Sequence, residues 1–259
     1  MRLGVDIMGG DYAPEQTVLG AIQALRELPS AVRLVLIGDR PSILSVLERE
    51  GVAADSFEIV HTTEVIGMAD HPTKAIQQKP QSSIAIGFQL LKEGKLDSFA
   101  SAGNTGAMLV GSMFSVKAIP GILRPAISTL LPKENGGWGL LLDVGVNADC
   151  KPEVLQQFAV LGSLYAKHVL NIADPTVGLM SIGEEEEKGN LLVKEAHQLI
   201  KDSKDIRFVG NVEGRDLFNE RADVIVCDGF TGNVMLKTME GVGKFLLKSL
   251  KEMFLSSTK

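Results

Sequence analysis

Asp223-Val224-Ile225-Val226-Cys227-Asp228-Gly229-Phe230-Thr231-Gly232-Asn233-Val234-Met235-Leu236 passes from a short apolar run, through a glycine-bearing turn, into a segment of helical spacing. The passage has an earlier counterpart in Ser98-Phe99-Ala100-Ser101-Ala102-Gly103-Asn104-Thr105-Gly106-Ala107-Met108-Leu109. Each reads as strand, tight turn and helix N-terminus. Working outward, apolar runs fall at 2–7, 32–37, 57–61, 98–101, 126–131, 139–144, 176–181, 206–210 and 223–227. Helix-period segments fall at 14–28, 41–50, 83–92, 105–116, 153–170, 191–202 and 231–254, with Pro14 and Pro41 where a first-turn proline belongs. Such alternation predicts an α/β fold, a mostly parallel sheet with helices on both faces. The exception is 126–144, where two strand-like runs flank Pro132-Lys133-Glu134-Asn135-Gly136-Gly137 and predict a β-hairpin insertion. No Gly/Ser or Pro-rich linker interrupts the chain, so residues 1–259 are expected to form a single two-lobed domain.

Composition narrows the function. Net charge is −6 and aromatics are 5% of residues, which disfavours phosphate-backbone binding and leaves few stacking platforms for nucleic acid. The two cysteines, Cys150 and Cys227, carry no disulfide pattern, which fits a reducing compartment. The N-terminus enters a strand at once, without a signal-peptide pattern, and no apolar run approaches a membrane span. A cytoplasmic protein is expected.

Glycines let backbone N–H groups crowd toward one point, and a helix start adds partial positive charge, so each GxTG segment suits a phosphate or a developing oxyanion. The alternative is that GxTG is only a sharp βα turn. Asp6-Ile7-Met8-Gly9-Gly10-Asp11 with Pro14 follows the first strand, and its glycines permit close backbone approach to a ligand. Its carboxylates could orient lysines or cap a helix. In Gly183-Glu184-Glu185-Glu186-Glu187-Lys188-Gly189-Asn190, the four carboxylates read as a solvated face, while Lys188 could meet phosphate as a point charge. Asn147, after Asp143-Val144-Gly145-Val146, either lines a cleft or caps the helix ahead of Pro152. His61, His71, His168 and His197 show no metal-ligand spacing, and neither a GxSxG elbow nor a GxGxxG fingerprint is present. Cys227 is either a nucleophile or a small buried residue ending a strand. In 234–259, Lys237, Lys244, Lys248, Lys251 and Lys259 outnumber Glu240 and Glu252. Apolar residues recur there at helical spacing, giving an amphipathic basic helix suited to a core or dimer contact, an anionic membrane or an acidic carrier protein.

Six of these segments, in order, resemble the bacterial phosphate acyltransferases (the PlsX family): Asp6–Asp11 with Pro14, Ser101–Ala107, Leu141–Gly145, Gly183–Asn190, Gly210–Asp216 and Asp228–Lys237. The resemblance implies transfer of a fatty acyl group from acyl carrier protein to inorganic phosphate, giving acyl-phosphate for phospholipid synthesis. It also implies a homodimer and no metal; no cofactor is expected, and peripheral membrane contact through 234–259 is an expectation from that segment's own basic amphipathic pattern. The implied fold is like that of phosphotransacetylases and isocitrate/isopropylmalate dehydrogenases. Ile7 and Val146 stand where smaller residues are familiar. Members usually continue beyond the position of Lys259, so this chain is expected to lack a C-terminal strand–helix segment.

The expected chemistry needs positioning and charge stabilisation more than strong acid or base. Lys188 and Asn233 are the expected catalytic residues. Asp6, Gly9, Gly10, Gly103, Asn104, Thr105, Gly106, Asn147, Thr231 and Gly232 are the expected substrate-binding residues, with phosphate between the two GxTG helix starts. The alternatives are a phosphotransacetylase acting on small acyl-CoA, a covalent route through Cys227, and a non-catalytic carrier- or membrane-docking module.

Overall fold

The computed structural model describes residues 1–256 and divides into two compact units, Met1–Ile119 and the chain from Pro120 onward. The α/β class and parallel pairing hold, but the strands form two separate sheets, one per unit.

In the first unit, β1 (Arg2–Asp6), β2 (Arg33–Gly38), β3 (Glu58–His61) and β4 (Ser98–Ala100) form an all-parallel sheet in the order β3-β2-β1-β4. Helices α1 (Glu15–Glu27), α2 (Arg40–Arg49), α3 (Pro72–Gln78), α4 (Ser83–Lys92) and α5 (Thr105–Ser115) connect or follow these strands. The pleat explains the run Leu34-Val35-Leu36-Ile37, because successive side chains enter opposite layers. Leu34 and Leu36 pack with Val18 and Ile22 of α1 and Ile43 and Leu47 of α2. Val35 and Ile37 pack on the other face with Leu96, Ile86 and Phe99. Helix starts are locally encoded: the side chain of Asp39 accepts from the Ser42 N–H at 3.1 Å, and that of Ser82 from the Ala85 N–H at 3.3 Å. The short α3 was not expected; it has proline in its first turn but too few residues for an apolar stripe to declare itself.

In the second unit, β5 (Ser128–Pro132) and β6 (Trp138–Leu142) form the expected antiparallel hairpin. Parallel pairing then joins β6 to β9 (Val224–Val226), β9 to β7 (Thr176–Met180), and β7 to β8 (Arg207–Val212). Leu140, Leu142, Val224 and Val226 face α6 (Pro152–His168) and α7 (Leu191–Lys201), packing on Leu155, Phe158 and Ile200. Leu141 and Ile225 enter the opposite layer, which includes Met235, Leu236 and Met239 of α8 (Gly229–Ser256). The buried Lys133 ammonium pairs with Asp223 at 2.9 Å, and Asp223 also accepts from Thr176, tying the hairpin turn to the starts of β7 and β9. Burial raises the Asp223 carboxyl, but the Thr176 N–H and the Lys133 ammonium outweigh it and hold the group below the usual carboxylate range.

Beyond Met239 the helix changes character. Val242, Phe245, Leu246, Leu247 and Leu250 are exposed, so the amphipathic pattern of 234–259 leaves an apolar face uncovered in the described chain. Lys259 lies outside the described residues. No helix among the described residues is long and apolar enough to cross a membrane.

Candidate active site

In the first unit the expected residues gather at the carboxyl ends of β1 and β4. Asp6 is buried and accepts from the Met8 N–H at 2.9 Å and from the Ser101 hydroxyl at 2.6 Å. Ser101 Oγ in turn accepts from the Gly103 N–H. Gly9 and Gly103 let the two turns touch; a Cβ at Gly9 would lie 2.6 Å from the Gly103 nitrogen. Gly10 has φ of +103°. Asn104 accepts from the Ala107 N–H and gives its amide to the carbonyls of Gly67, Met68 and Asp70. That side chain is buried and caps α5, so the phosphate contact expected of it is replaced by a structural role. Gly106 permits Pro72 to lie against α5. Thr105 is exposed at the first position of α5, a helix start that favours an anion.

In the second unit Asp143 organises the turn after β6. It is fully buried and accepts from the N–H groups of Ile127, Val146 and Asn147 and from the Asn147 amide at 2.8 Å. Asn147 also donates to the Pro125 carbonyl and accepts from the Gly229 N–H at 2.7 Å. Asn147 is therefore an internal strut rather than a ligand contact. Asp143 was quoted in the sequence but not expected at the site; a carboxylate shortly before a Gly-x-Asn turn is the signal that could have singled it out.

The second GxTG segment is not a turn. Helix α8 begins at Gly229, with Asp228 accepting from the Thr231 N–H at 2.9 Å and from its hydroxyl at 2.7 Å. Thr231 thus completes the cap, and the Gly232 N–H donates to the Asp228 carbonyl inside the helix. The substrate contact expected of Gly232 is corrected on this ground, because its N–H is committed within the helix. Gly232 is needed for another reason, since a Cβ there would overlap the Asp143 carbonyl oxygen. In the first segment the cap is Asn104, immediately before the threonine-glycine pair, whereas Asp228 stands three residues before its threonine, so the two GxTG segments are not equivalent. Asn233 follows on the second turn of α8, exposed and beside Gly145, and among the described residues its amide has no hydrogen-bond partner.

The acidic loop after β7 is held from several sides. Glu184 pairs with Arg215 at 3.1 Å and Arg221 at 2.9 Å. Glu186 pairs with Lys201, whose hydrogen bond holds the carboxyl below its usual range. Buried His197 meets Asn211 at 2.9 Å, and the Asn211 amide donates to the Glu185 carbonyl. Lys188 lies on this braced loop, exposed and without an ion pair among the described residues. Lys188 and Asn233 are therefore the expected second-unit residues whose polar groups remain uncommitted.

Cys227 is 3% exposed, and burial, then the Asp228 and Asp143 carboxylates, push its thiol far above the usual range. The same kinds of influence push Cys150 up to about 11. A thiol held protonated is a poor nucleophile. Cys227→Ser is expected to retain activity within about tenfold and to give no acyl-enzyme by mass spectrometry; an acylated peptide containing residue 227 in the unaltered protein would reverse this.

These features sit in a chain whose whole length, residues 1–259, matches the family model described as "Fatty acid synthesis protein". Over 255 residues it is 47% identical to the phosphate acyltransferase of Halothermothrix orenii, covering 98% of this chain and 76% of that protein. The chain belongs to the phosphate acyltransferase family. The phosphate acyltransferase of Desulforamulus reducens is 48% identical over 252 residues, 97% of this chain and 74% of its own. A solved phosphotransacetylase from Streptococcus pyogenes superposes with a TM-score of 0.71 at 18% identity, covering 94% of this chain and 82% of that one. That likeness establishes the fold, as expected from the sequence. In this phosphate acyltransferase, the braced turn of Asp143 and Asn147 and the capped start of α8 place Asn233 beside Gly145.

Proposed function

We propose that this phosphate acyltransferase moves a fatty acyl group from the thioester of an acyl carrier protein to inorganic phosphate, releasing the carrier thiol and acyl-phosphate for phospholipid synthesis. The observation that carries the reading is the 47% identity to a phosphate acyltransferase over 98% of the chain. A phosphate oxygen adds to the thioester carbonyl, the carbonyl electrons move onto oxygen, and their return expels thiolate. Phosphate is already anionic near neutral pH and thiolate is a fair leaving group, so positioning and oxyanion stabilisation dominate. Asn233 donates its uncommitted amide to the oxyanion. Lys188 attracts phosphate as a point charge. The open helix start at Thr105 is a further place where an anionic group of the substrates is favoured.

Loss of a single charge contact should weaken phosphate binding more than turnover. Lys188→Ala is expected to raise the phosphate KM about tenfold with kcat changed less; unchanged KM at full rate would remove Lys188 from the account. The donor is tested by comparing a long-chain acyl carrier with acetyl-CoA, and preference for acetyl-CoA would favour the phosphotransacetylase reading. Localisation is proposed as cytoplasmic, with the exposed apolar face of α8 and its lysines serving a second copy of the chain or the inner face of the membrane.

A further inference from the structure

Two concavities flank the loop after β7, and they differ in chemistry. One, of about 630 Å³, is lined by Gly183, Glu184, Glu185, Lys188, Glu213 and Arg215 together with Ile182. The other, of about 550 Å³, lies at the carboxyl ends of β7 and β9. Leu155 and Leu179, both essentially fully buried, and Met180 line its interior, and Val193 of α7 and Met235 of α8 line it as well. Its polar lining includes Asn190 and Asp228, the caps of α7 and α8. Among the described residues, no lysine or arginine lines it. Ile182 borders both spaces.

We propose that the apolar cavity receives the acyl chain of the donor, leaving the charged concavity to the polar part of the reaction. The inference rests on the phosphate acyltransferase reading and deepens it. A cavity with an apolar interior and no cation is a poor phosphate site, and its volume lies in the range of small-molecule pockets. An aliphatic chain is the substrate portion that gains by filling it, since burial of each methylene strengthens binding roughly fourfold. Helices α7 and α8 therefore measure chain length, with Val193 and Met235 as the adjustable walls.

The test is a chain-length profile. Val193→Phe and Met235→Ala are assayed with octanoyl and hexadecanoyl carrier thioesters at saturating phosphate, with folding checked by circular dichroism. Val193→Phe narrows the cavity and is expected to lower kcat/KM for the hexadecanoyl donor about tenfold or more relative to octanoyl. Met235→Ala widens it and moves the ratio the opposite way. The phosphate KM should stay within about twofold in both, because the cavity does not hold phosphate. Folded, active variants with the unaltered protein's chain-length ratio would overturn the assignment, and Met235→Ala alone decides if Val193→Phe fails to fold. Inactivity of the unaltered protein with every donor would instead overturn the transferase reading.

Discussion

Asn233→Ala lowers kcat by about 10²–10³ while the protein folds normally, the loss seen when a single oxyanion donor is removed. The side chain is exposed on α8 and makes no hydrogen bond among the described residues, so the fold does not depend on it. Alanine is also a better helix former than asparagine, so stability should hold or rise slightly. A donor acting mainly in the transition state lowers kcat and kcat/KM together. Asn233→Asp sharpens the result: it keeps the shape but replaces the N–H donor with an acceptor, and the loss should be at least as large. Steady-state kinetics with an acyl carrier donor read the outcome. Wild-type turnover in either variant would remove Asn233 from the mechanism.

Gly232→Ala is expected to destabilise the protein by about 3 kcal/mol or more, at the upper end for overpacking, and to abolish most activity. A Cβ at this position meets the backbone carbonyl of Asp143, with the Cys227 sulfur also 2.9 Å away. Backbone cannot turn aside as a flexible side chain can. Relief therefore requires α8 to move off the turn formed by Asp143 and Asn147, carrying Asn233 with it. Urea unfolding should show a lower midpoint with an unchanged slope. Gly241 on the same helix is the control, because a Cβ there meets nothing within 4 Å. Gly241→Ala should be neutral or stabilise by up to about 1 kcal/mol. Equal behaviour of the two variants would contradict the proposed packing of α8.

The strands were legible because their residues carry period-two burial. Leu34-Val35-Leu36-Ile37 and Leu140-Leu141-Leu142 each feed two layers, and both stand out as unbroken apolar runs. The hairpin was legible from Gly136 and Gly137 between two such runs. The division into two sheets was not, because strand partners such as Leu142 and Val226 are chosen by long-range packing that leaves no local mark.

At the site, composition could not separate residues that face a ligand from residues that hold the loop. Asn104, Asn147 and Asn233 are the same amide in similar glycine-rich surroundings. Hydrogen-bond partners distinguish them: the first two are occupied by backbone carbonyls and N–H groups, and the third is open. The start of α8 was misplaced by the assumption that glycines mark a turn. Asp228 caps the helix earlier, and Gly229 and Gly232 serve close packing against Asn147 and Asp143.

The central claim, acyl transfer to phosphate, is tested most directly by incubating the chain with hexadecanoyl acyl carrier protein and labelled inorganic phosphate. Label should pass into an organic-extractable acyl-phosphate in step with release of the carrier thiol, and neither should occur without the protein. Thiol release with no labelled acyl-phosphate, or no release from a demonstrably folded chain, would contradict it.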